Sequence, residues 1–226
     1  MKGFVITKKD DTISERMADN CISSGLQYGI IIEKVFGVYN NILETLEKEG
    51  LFVNPLAFKK VKTNGVIGCF LSHYQLWTMC VELNEPIAIF EYDAEIINNI
   101  DDSLLDTFTD YLNLDYTRHL YLKDIEVYKA NLKPNNNSIL TKELTVNMSG
   151  EGYKFMNRNH IKGAFGYIIK PTGAIKLIAG IKKDGMIPAD VALNLYYLNV
   201  SYTEPSLVKL NFEMLHNRLT LSHTSN

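Results

Sequence analysis

Apolar residues recur along this chain with two alternating periods, and the switches between them predict strands interleaved with helices. Residues 4–7 are a short apolar run that reads as a first strand. Thr12-Ile13-Ser14-Glu15 has capping-box spacing, and Ile13, Met17 and Cys21 then recur at helical intervals to about Gly25. Residues 30–36 form a second strand stopped by Gly37, and residues 41–49 a short helix with Gly50 just past its end. Beyond Gly68, residues Phe70, Tyr74, Trp77 and Val81 stand three or four apart, an apolar stripe meant for the core. Pro86 marks a turn, and residues 87–90 are apolar without a break, as in a strand covered on both faces. Residues 101–112 read as a helix, with Leu104, Leu105, Phe108 and Leu112 inward and acids in the first turn.

Residues 119–122 and 163–169 return to strand character. Between them the chain is polar and asparagine-rich, with loops at 134–138 and 147–152 and a pair of edge strands expected between the loops. Pro171 opens a helix with Ala174, Leu177 and Ile178 inward, and Pro188-Ala189-Asp190 precedes another. Residues 200–202 and 206–210 are short strands, and the tail from Thr220 frays. The alternation predicts an α/β fold with a mainly parallel central sheet, built as one domain over residues 1–226.

The strand at 87–90 ends in acids. Open α/β sheets place ligands at the carboxyl ends of their strands, where Glu91, Asp93 and Glu95 stand. In an extended chain these three share one face, about 6–7 Å apart, and each neighbouring pair repels by about 2–3 kcal/mol at an effective dielectric of ~20. A divalent cation removes that penalty, and oxygen ligands suit Mg²⁺ or Mn²⁺. A solvated strand end or a helix N-cap is the plainer reading.

Composition narrows the class. With 46% hydrophobic and 22% charged residues the chain is an ordinary globular one, and a formal net charge of -3 carries no footprint for nucleic acid or an anionic membrane. Cys21, Cys69 and Cys80 are too few and too far apart for a disulfide framework or a zinc motif. The apolar opening meets Lys8-Lys9-Asp10-Asp11 too early for a signal peptide or membrane anchor, so a cytoplasmic protein without an integral membrane segment is expected.

The motif Gly68-Cys69-x-x-Ser72-His73-x-x-Leu76-Trp77, followed by Glu91-Tyr92-Asp93-Ala94, resembles glycosyltransferase family 25, the lipooligosaccharide and procollagen galactosyltransferase group. Phe4-Val5-Ile6-Thr7 with Arg16 resembles the family's opening strand and arginine, and Gly37 its second-strand glycine. Gly163 to Tyr167, with Gly173 and Ala174, and Pro188-Ala189-Asp190 resemble its later segments. The resemblance covers roughly residues 3–205, interrupted in the middle.

It implies a single GT-A type, Rossmann-like domain that moves a hexose, galactose foremost, from a UDP-sugar to a glycan or hydroxyl acceptor, with inversion and a divalent metal. On that resemblance Thr7, Arg16, Glu91, Asp93 and Gly163 contact the donor, Glu91, Asp93 and His216 hold Mn²⁺ or Mg²⁺, and Asp190 is the base. His223 is a second candidate for the histidine, and Glu151 and Asp184 are alternatives for the base. Where the family usually has Glu-Asp-Asp-Ala this chain carries Tyr92 in the middle, and its basic residues after strand one correspond only loosely to Lys8 and Lys9.

Each residue has a structural reading beside the functional one. Asp190 before a helix is a good N-cap, Trp77 belongs to a core, and His73 beside the apolar stripe reads as a satisfied structural histidine. Arg16 suits a helix surface, and Gly163 and Gly166 suit a tight strand geometry. The alternative to an active transferase is a non-catalytic relative that binds a sugar nucleotide or glycan, with homo-oligomerisation open. A nucleotidyltransferase ranks last, because Thr7-Lys8-Lys9-Asp10-Asp11 contains no glycine.

Overall fold

A computed structural model describes residues 1–55, 64–115, 139–143, 161 and 163–211. Among them nine strands and five α-helices follow in the order β1 (Lys2–Thr7), α1 (Thr12–Gln27), β2 (Ile32–Phe36), α2 (Ile42–Lys48), α3 (Asn64–Leu83), β3 (Ile87–Glu91), β4 (Ala94–Ile96), β5 (Tyr111–Asn113), β6 (Leu140–Glu143), β7 (Gly166–Ile169), α4 (Pro171–Asp184), α5 (Ala189–Ala192), β8 (Val200–Glu204) and β9 (Val208–Leu210). A 3-10 helix, Asp102–Thr107, stands before β5.

Seven strands form one sheet in the order β2-β1-β3-β7-β5-β8-β6, and β4 and β9 form a small antiparallel pair. β1 runs parallel to β2 and to β3, and β5 parallel to β8, while β7 and β6 are antiparallel to their neighbours. Five of the seven strands therefore point one way. The chain leaves β1 towards β2 and later returns to β1's other side as β3. The carboxyl ends of β1 and β3 thus flank a topological switch point, where an open α/β sheet leaves a crevice.

Strand alternation divides the core cleanly. Phe4, Ile6, Ile87, Ile89, Tyr167 and Ile169 face the side covered by α2, α3 and α4. Val5, Ala88, Phe90 and Ile168 face the side covered by α1 and the small sheet. By the same period Glu91, two residues beyond Ile89, belongs to the α3 face. Trp77 is fully buried there, edge-on to Phe70 at 5.7 Å, in the core position expected.

Three expectations change. The helix predicted for 101–112 is the 3-10 turn followed by β5, so Leu112 is a strand residue. The inward leucines follow either period over so short a stretch, and Tyr111, Leu112 and Leu114 are buried because β5 fills the slot between β7 and β8. The N-cap of α1 is Asp11, whose carboxylate accepts from Ser14 N at 3.0 Å, while Glu15 accepts from Asp10 N. The helix after Pro188 is a single turn. The strand expected at 119–122 lies outside the described residues, and of the expected pair of edge strands only β6 falls within them.

Buried Asp110 fastens the last third of the sheet. It accepts from Lys176 Nζ at 2.8 Å and from the backbone and side-chain nitrogens of Asn199, both at 2.9 Å, tying α4 to the approach of β8. On the other flank Ser72 of α3 accepts from Val38 N at 2.8 Å and donates to Gly68 O, fixing the loop after β2. No described helix is long and apolar enough to cross a membrane.

Gly68 carries that flank. A Cβ added to it would stand 2.3 Å from Val38 O. Gly68→Ala is expected to lower stability by about 1–3 kcal/mol through overpacking, read as a shifted urea midpoint. An unchanged midpoint would mean that the loop after β2 yields freely.

Candidate active site

Two adjoining pockets open at the carboxyl ends of β1 and β3. The larger, about 520 Å³, lies between the start of α1 and α3 and is lined by Lys8, Asp11, Ser14, Tyr39, His73 and Tyr92 among others. The smaller, about 350 Å³, is lined by Gly163, Pro188 and Asp190 among others. Gly65, Cys69 and Glu91 belong to both, so the last residue of β3 stands at their junction.

Glu91 reaches that junction because the strand period turns it towards α3. There it meets two side chains one helical turn apart. Its Oε1 lies 3.3 Å from His73 Nε2 and 3.8 Å from Cys69 Sγ. Behind it a hydrogen-bond chain runs into the core. His73 Nδ1 is 2.8 Å from the Tyr167 hydroxyl, which also accepts from Trp77 Nε1 at 2.9 Å. An indole nitrogen only donates, so the Tyr167 proton is left to give to His73 Nδ1, and Nε2–H then donates to Glu91. His73 is wholly buried, its ring stacked on Tyr167 with centroids 5.8 Å apart. The structural reading of His73 holds, with one addition: it orients the acid at the pocket junction.

Burial, then the charges of Glu91 and Asp190, push the Cys69 thiol well above its ordinary range. Burial chiefly pushes the Tyr39 phenol up to about 12. Lys8 stands over the Tyr39 ring at 5.9 Å, and its Nζ is 3.5 Å from Asp11. The mouth of the larger pocket thus pairs an aromatic face with an ammonium group.

The three acids do not form one row. The chain turns at Tyr92 and Asp93, so the extended geometry assumed for them ends at Glu91. Asp93 is 7% exposed and lines neither pocket, and its charge acts both on Cys21 of α1 and on Cys69 of α3. Its backbone oxygen accepts from Asn211 N at 2.8 Å, which anchors the turn. Glu95, on β4, is paired with Lys209 at 3.0 Å.

The remaining predicted residues divide. Asp190 lines the smaller pocket. It sits inside α5, whose N-cap is Pro188 and which has no side-chain cap, so the N-cap reading of Asp190 does not apply. Gly163 lines the same pocket with φ +90, a conformation that favours glycine. Thr7 is buried and lines neither pocket. Its hydroxyl lies 2.9 Å from that of Ser14, which does line the larger one. Arg16 is exposed on α1 and lines neither. Asp184, half-buried, accepts from the Tyr197 hydroxyl at 3.1 Å, also away from both pockets. Glu151, His216 and His223 lie outside the described residues.

Sequence reasoning missed Tyr39, Ser14 and Cys69. For Cys69 a signal exists, its spacing of four from His73 on one helix face. For Tyr39, in a loop placed by tertiary contacts, there is none.

A divalent cation meets a suitable donor set here. Glu91 puts a carboxylate on the wall shared by both pockets, the charge of Asp93 reaches Cys69 on that wall, and a hard cation needs only one or two protein carboxylates beside substrate phosphates.

The profile of glycosyltransferase family 25 (LPS biosynthesis protein) matches residues 47–193. The chain is similar to a "Glycosyltransferase 25 family member" of Drosophila melanogaster, 29% identical over 145 residues that make up 61% of this chain and 20% of the relative. The chain thus matches about a fifth of that relative's length. Mouse xyloside xylosyltransferase 1, in its apo form, aligns over 86% of this chain and 80% of its own with a TM-score of 0.41 at 10% identity.

Removing the Tyr167 hydroxyl strands Trp77 N–H and His73 Nδ1 in the core. Tyr167→Phe is expected to cost about 1–3 kcal/mol in chemical denaturation. A neutral result would mean that the two nitrogens find other partners.

Proposed function

Because the chain belongs to glycosyltransferase family 25, we propose that it transfers a hexose, galactose first, from a UDP-sugar to a hydroxyl of a glycan acceptor such as a lipooligosaccharide, with inversion and with Mn²⁺ or Mg²⁺. The observation that carries this reading is the position of Glu91 as a shared wall of two adjoining pockets. A two-substrate transfer needs two sites that meet where the bond is exchanged. The larger volume falls in the range of small-ligand pockets, and it takes the donor. The smaller takes the acceptor.

The roles follow from where the side chains stand. Tyr39 offers its face to the nucleobase, and Lys8 its charge to the diphosphate. Asp190 accepts the acceptor's proton as that oxygen bonds to the anomeric carbon, and the electron pair of the breaking bond departs with the diphosphate. Glu91, oriented by His73, and Asp93 would hold the cation, with His216 the candidate to complete its shell. Bound there, the cation supplies Lewis-acid stabilisation of the leaving diphosphate. Tyr92, where the family usually carries an acid, favours the second reading, a relative that binds sugar nucleotide without transferring it.

A panel of nucleotide sugars assayed by nucleoside diphosphate release separates the two. Turnover with UDP-galactose that needs Mn²⁺ or Mg²⁺ and is abolished by EDTA is expected. Asp190→Asn should lower kcat by about 10²–10⁴-fold with donor KM little changed, and Glu91→Ala should raise the donor KM. Binding without turnover of any donor would leave the second reading.

A further inference from the structure

The junction holds a ligand set that the transfer reaction uses only in part, through Glu91. Cys69, His73 and Glu91 each offer one donor atom, and the three atoms lie within 4.8 Å of one another. We propose that Cys69 Sγ, His73 Nε2 and Glu91 Oε1 form a three-ligand site for a borderline-soft divalent cation of the Zn²⁺ class.

Geometry carries the proposal. Tetrahedral zinc, with bonds of about 2.3 Å to sulfur and 2.0–2.1 Å to nitrogen or oxygen, sets ligand atoms about 3.3–3.6 Å apart. The observed separations are 3.3 Å for His73 to Glu91 and 3.8 Å for Cys69 to Glu91. The third separation, Cys69 to His73, is within 4.8 Å, so closure asks at most about 1 Å of the Cys69 sulfur and a few tenths of an ångström of Glu91. Cys69 and His73 ride one rigid helix four residues apart, and Glu91 ends a central strand, so the site is built on regular elements.

The outer shell fits as well. A metal-ligating histidine gives its other ring N–H to a fixed acceptor, and the Tyr167 oxygen stands 2.8 Å from Nδ1. Binding at Nε2 exchanges the resting tautomer for the other, the proton leaving Nε2 and Nδ1 becoming protonated, and the Tyr167 oxygen, with two lone pairs, then accepts from His73 and Trp77 together. Coordination displaces the Cys69 thiol proton to water through the open pocket, because a coordinating thiol is deprotonated outright. Cys69 and Glu91 line both pockets, so a fourth position is left to solvent or substrate.

Thiolate and imidazole discriminate for zinc and cobalt against magnesium. The site is thus distinct in chemistry from the oxygen-bound cation of the transfer reaction, though it shares Glu91 with it. Filling it withdraws Glu91 from that cation and inhibits transfer, a consequence that rests on the proposed function. The binding itself does not.

Titrating the purified full chain with Co²⁺, without any donor, tests the site. One cobalt per chain is expected, with the intense visible bands of four-coordinate cobalt and a sulfur-to-metal charge-transfer band, all displaced by Zn²⁺. Cys69→Ser should abolish the charge-transfer band, and Cys80→Ala should retain it. Glu91→Gln should keep the band but weaken binding at least ten-fold, which guards against a Cys69 variant that fails to fold. No band in the wild type, a band that survives Cys69→Ser, or one that follows Cys80 would overturn the site. A donor panel that shows no turnover would sink the proposed function and leave the cobalt result standing.

Discussion

A single chain of hydrogen bonds, from Trp77 through Tyr167 and His73 to Glu91, joins the centre of this protein to its pockets. Its first three members are buried, and its last two, His73 and Glu91, line the larger pocket. Each link is costly to leave unmade in a low-dielectric interior, so the core holds the carboxylate in place without spending a surface loop on it. The motif that spaces His73 and Trp77 four apart is therefore one device: a helix face that packs the sheet and aims the acid at its tip.

The strand period explains what meets at the junction and what does not. Glu91 falls on the α3 face with Cys69 and His73, whereas the turn at Tyr92 leaves Asp93 buried, its charge acting on both Cys21 and Cys69, and leaves Glu95 to Lys209. Acids that look equivalent in a run of five residues end in three different environments. The distinction matters for any cation, since proximity in sequence puts only one of the three on a pocket wall.

Legibility followed the same logic. The strands at 4–7 and 87–90, the core stripe of α3 and the Gly50 end of α2 rest on local patterns that tertiary structure respected, whereas α1 runs on past Gly25 to Gln27. The segment at 101–112 misled because leucines spaced for a helix also suit a strand buried on both faces, and a slot between β7 and β8 decided the matter. Asp190 was readable as an acid near a helix start, but only the placement of Pro188 as the N-cap removed its structural role. Lys8 and Tyr39 come together across a fold-dependent gap, and nothing in the local sequence encodes that meeting.

The two pockets also differ in when their walls come into being. Among the described residues, every one that lines the larger pocket lies from Ile6 to Tyr92, while the smaller one closes only with Asp190. Its supporting α4 is pinned by Asp110 through partners 66 and 89 positions further on. On a ribosome, which releases the chain from its amino end, the described lining of the first cavity has emerged before the second has its far wall.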